Sequence, residues 1–167
     1  GCFLFLRRAL LWRSSNGWLA FLLFGIPAVF YFGAALKGTF FSCPLAGSSI
    51  MQVITTFFLA AIKGPIEEFG WRGVALPLIQ REMVPLWASI VLGGVWGLWH
   101  TPAFLLSGTQ QSGWSFAPFF MGCIALSVIA TALFNASRGS ILLSAFFHFM
   151  VMNPVFPDAQ PYDSYIL

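Results

Sequence analysis

Residues 18 to 36 read WLAFLLFGIPAVFYFGAAL, without a single charge, and this run decides the solvent in which the chain folds. A helix of about 20 residues rises far enough to cross a hydrocarbon core of roughly 30 Å, so the run predicts a transmembrane helix. The composition around it agrees. Hydrophobic residues make up 59% of the 167-residue chain and charged ones only 8%, against roughly 25% charged in soluble globular domains. Too little polar surface is left to cover a water-soluble body. The net charge of +3 comes from single and paired bases that form no stripe, which argues against a nucleic-acid partner. Cys2, Cys43 and Cys123 are odd in number and widely spaced, so they read as packing residues rather than a disulfide framework or a zinc knuckle. The chain starts at Gly1 rather than Met and lacks a tripartite signal peptide, which predicts a fragment or a processed product.

Working outward, the apolar run from Phe3 to Leu11, bounded by Arg7, Arg8 and Arg13, is too short to span and predicts an interfacial helix or the remnant of a truncated span. Ser49 to Ile62 is a second apolar stretch leading to Lys63, Gly64 and Pro65. Pro65 either kinks it or opens a continuing helix through EEFGWRGVAL, which Pro77 limits. Pro85 to Leu106, Phe116 to Phe134 and Ile141 to Phe156 complete five expected spans. If these alternate, Arg7, Arg8, Arg13, Arg72, Arg81 and Arg138 fall on one side, which the positive-inside rule makes cytoplasmic. Lys37 stands alone opposite, with Asp158 and Asp163 in a tail that has no base. The expected architecture is an all-α polytopic transmembrane bundle of about five spans plus an N-terminal interfacial helix. With no repeat or second composition, residues 1–167 read as one domain.

Charges near membrane depth cost roughly 2.5 to 3.5 kcal/mol each on insertion scales, so each needs a partner or a water-filled cavity. Glu68 and Arg72 are four apart with the acid first, the favourable helical pairing. Glu67 is rotated from Glu68 by about 100° and faces another neighbour, which suits a catalytic base beside a structural acid. His100 ends WGLWH, where Trp96 one turn earlier can pack on its ring. His148 lies among phenylalanines in ILLSAFFHFMVMN, where a neutral imidazole still needs a partner. The two histidines and the acid pair sit on three spans that can converge. Glu67, His100 and His148 suffice for an open zinc site with a place for water. The same groups also work without metal: Glu67 as general base, His100 orienting the water, His148 stabilising the oxyanion. His100 stands 13 residues beyond Trp87, about 20 Å of ideal helix. A tilt, a break at Gly93 and Gly94, or a later start must absorb the depth difference from Glu67.

The ordered set EEFGWRG, WGLWH and the late histidine of SILLSAFFHFMVMN resembles the CPBP family of intramembrane proteases. That family includes type II CAAX prenyl endopeptidases of the Ras-converting kind and bacterial bacteriocin-processing or self-immunity proteins. Its pattern is two glutamates with an arginine four after the second, an aromatic with a histidine four later, and a histidine with an asparagine four later. The resemblance covers roughly residues 50–153 and includes the step at Gly139 and Ser140. It implies that Glu67 activates water, that Glu68 and Arg72 support it, and that Trp96 with His100 and then His148 complete the site. Position 152 is Met152, and the asparagine comes one later as Asn153. A π-bulge, or loosening before Pro154, would return it to an oxyanion role. The resemblance implies an intramembrane endopeptidase acting on a lipidated or membrane-bound peptide in the bilayer. The site would open toward the cytoplasmic side, and a prokaryotic cytoplasmic membrane is favoured. The alternatives are a catalytically silent scaffold or immunity protein of the same family and, as a third class, an ion or proton pathway through the same residues.

Overall fold

The computed structural model of the chain describes residues 2–162, with side chains from Phe5 onward. Gly1, Asp163 and the side chain of Cys2 lie outside the described residues. All regular elements among the described residues are helices. They are α1 (Cys2–Ala9), α2 (Asn16–Lys37), α3 (Ile50–Ile79), α4 (Pro85–Trp99), α5 (Thr101–Leu105), α6 (Phe116–Ala136) and α7 (Ile141–Val151). A 3-10 turn, Gln110–Gly113, precedes α6. The all-helical expectation therefore holds.

Among the described residues three helices, α2, α3 and α6, are long and apolar enough to cross a membrane. The stretch expected as one span over residues 85–106 is divided. Its helix ends at Trp99, His100 caps it, and α5 restarts at Thr101 with Pro102 in its first turn. Pro102 has no N–H to give to Leu98, which is why the ladder stops there. Gly93 and Gly94, a suggested break, lie inside a continuous helix. The last helix stops at Val151 rather than Phe156, because Pro154 disfavours helical geometry at Asn153.

Helix α3 starts with a capping box in which Ser49 and Gln52 bond each other's backbone N–H, and it runs unbroken through Pro65. Pro77 does not end it. Instead residues Trp71–Ala75 widen to π-helix and α-helix resumes over Leu76–Ile79. Helix α2 repeats the device, with π-helix at Phe21–Gly25 before Pro27. In both, the proline lies two residues after the π segment. Its ring crowds the carbonyl four residues back, and it donates no hydrogen bond to either an α or a π ladder. The wider turn is the local answer.

The chain divides into two compact units. One comprises Gly1–Gly73 with Leu133–Gln160, the other Val74–Ala132 with Pro161–Leu167. In the first, α7 packs along α3, and the segment after α7 returns to α2. There Phe156 stacks on Phe30 with ring centroids 5.1 Å apart, and Lys37 pairs with Asp158 at 2.6 Å. In the second, α4 and α6 approach closely at Gly93 and Gly97. A Cβ on Gly93 would stand 2.6 Å from the Cα of Ile124, and one on Gly97 would stand 2.7 Å from the Phe120 ring. Small residues at such crossings are how helices pack in a bilayer, where lipid removes the hydrophobic drive to associate.

Candidate active site

In the first unit, the third turn-pair of α3 puts Glu68 and Arg72 on the face that meets α7. Arg72 Nη1 donates to Glu68 Oε1 at 3.0 Å, and His148 Nδ1 stands 2.8 Å from the same oxygen. All three side chains are buried; Glu68 and Arg72 are each 1% exposed. One carboxylate oxygen thus ties the first sequence motif to the third, across 80 positions of chain. Because that oxygen accepts from Arg72, it accepts from His148 as well, so Nδ1 carries the proton and Nε2 is the nitrogen with the lone pair. Glu68 Oε2 is buried with no hydrogen-bond partner among the described residues, the kind of departure found at functional sites.

His148 also fits against α3 at Gly64. A Cβ there would stand 2.5 Å from His148 Cδ2, 2.7 Å from Nε2 and 2.4 Å from Met152 Sδ. Glycine at this position is therefore a condition for seating the imidazole. The sequence pattern offered Gly64 only as a neighbour of Pro65, and nothing local announces a contact to residue 148.

Glu67 is half-buried and takes the other azimuth, where Trp71 Nε1 donates to its Oε2 at 3.3 Å. The i, i+4 spacing of Trp71 from Glu67 is visible in the sequence, yet this indole is a site neighbour that the three motifs do not mark. Asn153 follows the end of α7. Its N–H donates to the Met150 carbonyl, and its Oδ1 accepts from the Val155 N–H at 3.0 Å. The helix contains no π-bulge before it; the chain has left helical geometry, and the carboxamide closes a local turn.

In the second unit, His100 caps α4. Its Nδ1 lies 2.8 Å from the Trp96 carbonyl oxygen, and a carbonyl can only accept, so this imidazole too carries its proton on Nδ1. The ring meets Trp96 edge-on at 6.0 Å, as the spacing suggested, and Phe119 of α6 at 5.2 Å. Each histidine in the chain is thus held at Nδ1 by an oxygen, the arrangement that orients metal-bound imidazoles and equally one that presents Nε2 to water. The donor types suit zinc, but among the described residues no three His, Cys, Asp or Glu side chains gather to hold a metal ion.

Residues 47–152 match the family described as type II CAAX prenyl endopeptidase Rce1-like. The chain belongs to this family. It is also similar to CAAX prenyl protease 2 of Methanococcus maripaludis, with 30% identity over 126 residues, covering 72% of this chain and 46% of that protein. The chain thus spans less than half the length of that curated relative. No solved structure matches it. The Rce1-like match takes in all three motifs and stops at Met152, one residue before Asn153.

Proposed function

We propose that the chain is an intramembrane endopeptidase. It would hydrolyse a peptide bond of a membrane-bound or lipidated, CAAX-like peptide, in a prokaryotic cytoplasmic membrane and from the cytoplasmic side. The observation that carries this reading is the shared Glu68 oxygen, which commits one acid of the pair to holding Arg72 and His148 and leaves Glu67 for proton transfer. Glu67 takes a proton from the attacking water, the hydroxide oxygen bonds to the scissile carbonyl carbon, and the proton passes on to the leaving amine as the C–N bond breaks. His148, fixed at Nδ1, donates to the oxyanion from Nε2 when protonated and accepts from water when neutral. His100 supplies a second imidazole of the same tautomer for orienting water.

The test is cleavage of a quenched, farnesylated peptide by the purified protein in lipid nanodiscs, with Glu67→Gln alongside. Cleavage that Glu67→Gln abolishes supports the proposal, and wild-type protein without cleavage under metal-replete conditions sinks it. Zinc held by Glu67, His100 and His148 is the competing form of the same chemistry, and would supply Lewis acidity and a more acidic water. Stoichiometric zinc by elemental analysis with chelator-sensitive activity would establish it, and their joint absence would remove it.

The turn made by Asn153 favours a second reading, a catalytically silent family member serving as a scaffold or immunity protein. There the oxyanion would lose a donor. Glu67→Gln and His148→Ala should then leave the cellular phenotype intact, and loss of phenotype in either would reject this reading.

A further inference from the structure

Helix α1 lies outside the residues that match the Rce1-like family, yet within the first unit it is fastened to both helices that carry the buried network. Phe5 packs on Phe69 of α3 with ring centroids 6.3 Å apart, and Trp12, just beyond α1, packs on Phe146 of α7 at 5.9 Å. The carbonyl of Leu11 accepts from the hydroxyl of Ser140, the residue whose Oγ also caps α7 by accepting from the Leu143 N–H. Between these contacts stands Arg8. Its Nε donates to the Gly139 carbonyl at 3.1 Å, its Nη2 donates to the Arg72 carbonyl at 3.3 Å, and its guanidinium lies 5.1 Å from the centroid of Phe134.

The two acceptors are not arbitrary carbonyls. Gly139 lies just before the α7 N-cap, so its position sets where α7 begins and, two turns on, where His148 stands. Arg72 lies in the π segment, and Pro77 has no N–H to offer the carbonyl of Arg72 or of Gly73. Arg8 supplies a charged donor at that point of the ladder. A planar fork can hold two carbonyls at a fixed separation, which a lysine ammonium, a single point donor, cannot copy. Burial lowers the Arg8 pKa from its ordinary value, but the group stays cationic throughout the working range.

We infer that Arg8 is a positioning residue for the proposed hydrolysis, a clamp that holds the π segment carrying Arg72 and the start of α7 at the spacing the Glu68–His148 contact requires. This rests on the proposed function above for its activity readout only. Arg7, the neighbouring base, is exposed and contributes the same charge to membrane topology, so Arg7→Ala separates topology from clamping. Leu22→Ala, at a fully buried position on α2, separates clamping from loss of stability.

The experiment compares Arg8→Ala, Arg8→Lys, Arg7→Ala and Leu22→Ala in nanodiscs, measuring kcat and KM on the quenched peptide and the 15N signal of His148 Nδ1 in histidine-labelled protein. A misplacement of about 1 Å costs on the order of 10²-fold in rate. Arg8→Ala should lose about that factor in kcat with KM little changed, and Arg8→Lys should recover only part of it. Arg7→Ala and Leu22→Ala should keep wild-type kcat, and the His148 Nδ1 signal should move in Arg8→Ala, move less in Arg8→Lys, and stay in place in the other two. Wild-type kcat and an unmoved signal in Arg8→Ala overturn the inference, as does an equal kcat loss in Leu22→Ala at matched melting temperature. If the wild-type protein cleaves nothing, the proposed function fails, while the His148 signal still decides the role of Arg8.

Discussion

Replacing Glu68 by glutamine keeps its shape and removes the charge that Arg72 and His148 share. Breaking a buried ion pair from one side costs about 3–5 kcal/mol, because the surviving charge is left uncompensated. Glu68→Gln should therefore melt well below the wild type and lose activity as a consequence. Glu67→Gln should melt like the wild type and lose about 10²- to 10⁴-fold in rate, the share a general base contributes. Thermal melting and peptide cleavage on the same two preparations check both, and equal melting losses would contradict the assigned division. Gly64→Ala probes the third partner. Its methyl group would meet Met152 Sδ and the His148 ring; the thioether can move aside, but the imidazole is held at Nδ1 by Glu68. Overpacking of this kind costs roughly 1–3 kcal/mol. Adding Met152→Ala should restore part of the melting temperature and none of the activity, and recovery of activity in the double variant would show that His148 was never displaced. The spacing of four made Glu68 with Arg72, and Trp96 with His100, readable in the sequence. The choice of Glu68 over Glu67 as the partner of His148 was not, since it depends on the azimuth at which α7 meets α3.

Uncharged runs made the long helices readable, and proline placement made their ends partly so. What the pattern concealed was the effect of Pro77 upstream. A proline inside a helix was expected to limit it, whereas α3 continues past Pro77 and absorbs the missing N–H by widening over Trp71–Ala75. The same offset occurs before Pro27 in α2 but not before Pro65, where α3 stays α-helical, so a proline permits the wider turn without dictating it. The π turn bears on chemistry because it adds one residue to the turn that carries Arg72. Removing the cause by Pro77→Ala should let the ladder close to α, drawing the Arg72 carbonyl into an i, i+4 bond with Leu76 and away from Arg8. Stability is expected to rise or stay level, since a helix interior prefers alanine to proline by about 3 kcal/mol, while activity falls. Melting and cleavage assays check the split, and a variant that is more stable and fully active would show that the π turn has no part in the site. Asn153 belongs to this scale too: whether it lies on the helix was unreadable, because it depends on where α7 gives way before Pro154.

At the scale of the whole chain, composition alone placed the protein in a bilayer, because 59% hydrophobic residues leave no other solvent. The long-range fastening of the tail carried no such signal. In the second unit the Ser115 N–H donates to the Tyr162 carbonyl at 2.6 Å, and the Tyr162 ring packs on Trp114 at 5.0 Å and on Phe119 at 5.5 Å. Phe119 is also the ring that meets His100. Burial, with a smaller contribution from the nearby Cys123, raises the Tyr162 phenol from 10.0 to about 12. Below about pH 10 both folded and unfolded chains keep this proton, and the tail contributes its full stability. As pH rises toward 12 the unfolded chain gives up the proton while the folded one holds it, so the unfolded state binds fewer protons and stability falls with pH. Phenylalanine has no proton to lose. The melting temperature of the wild type should therefore fall more steeply through this window than that of Tyr162→Phe, with lysine and arginine titration common to both proteins and cancelling in the difference. Detergent-solubilised protein melted at intervals across the window provides the measurement. Parallel curves would mean that the phenol is not buried against Trp114 and Phe119, and that the aromatic contact to His100 stands without the tail behind it.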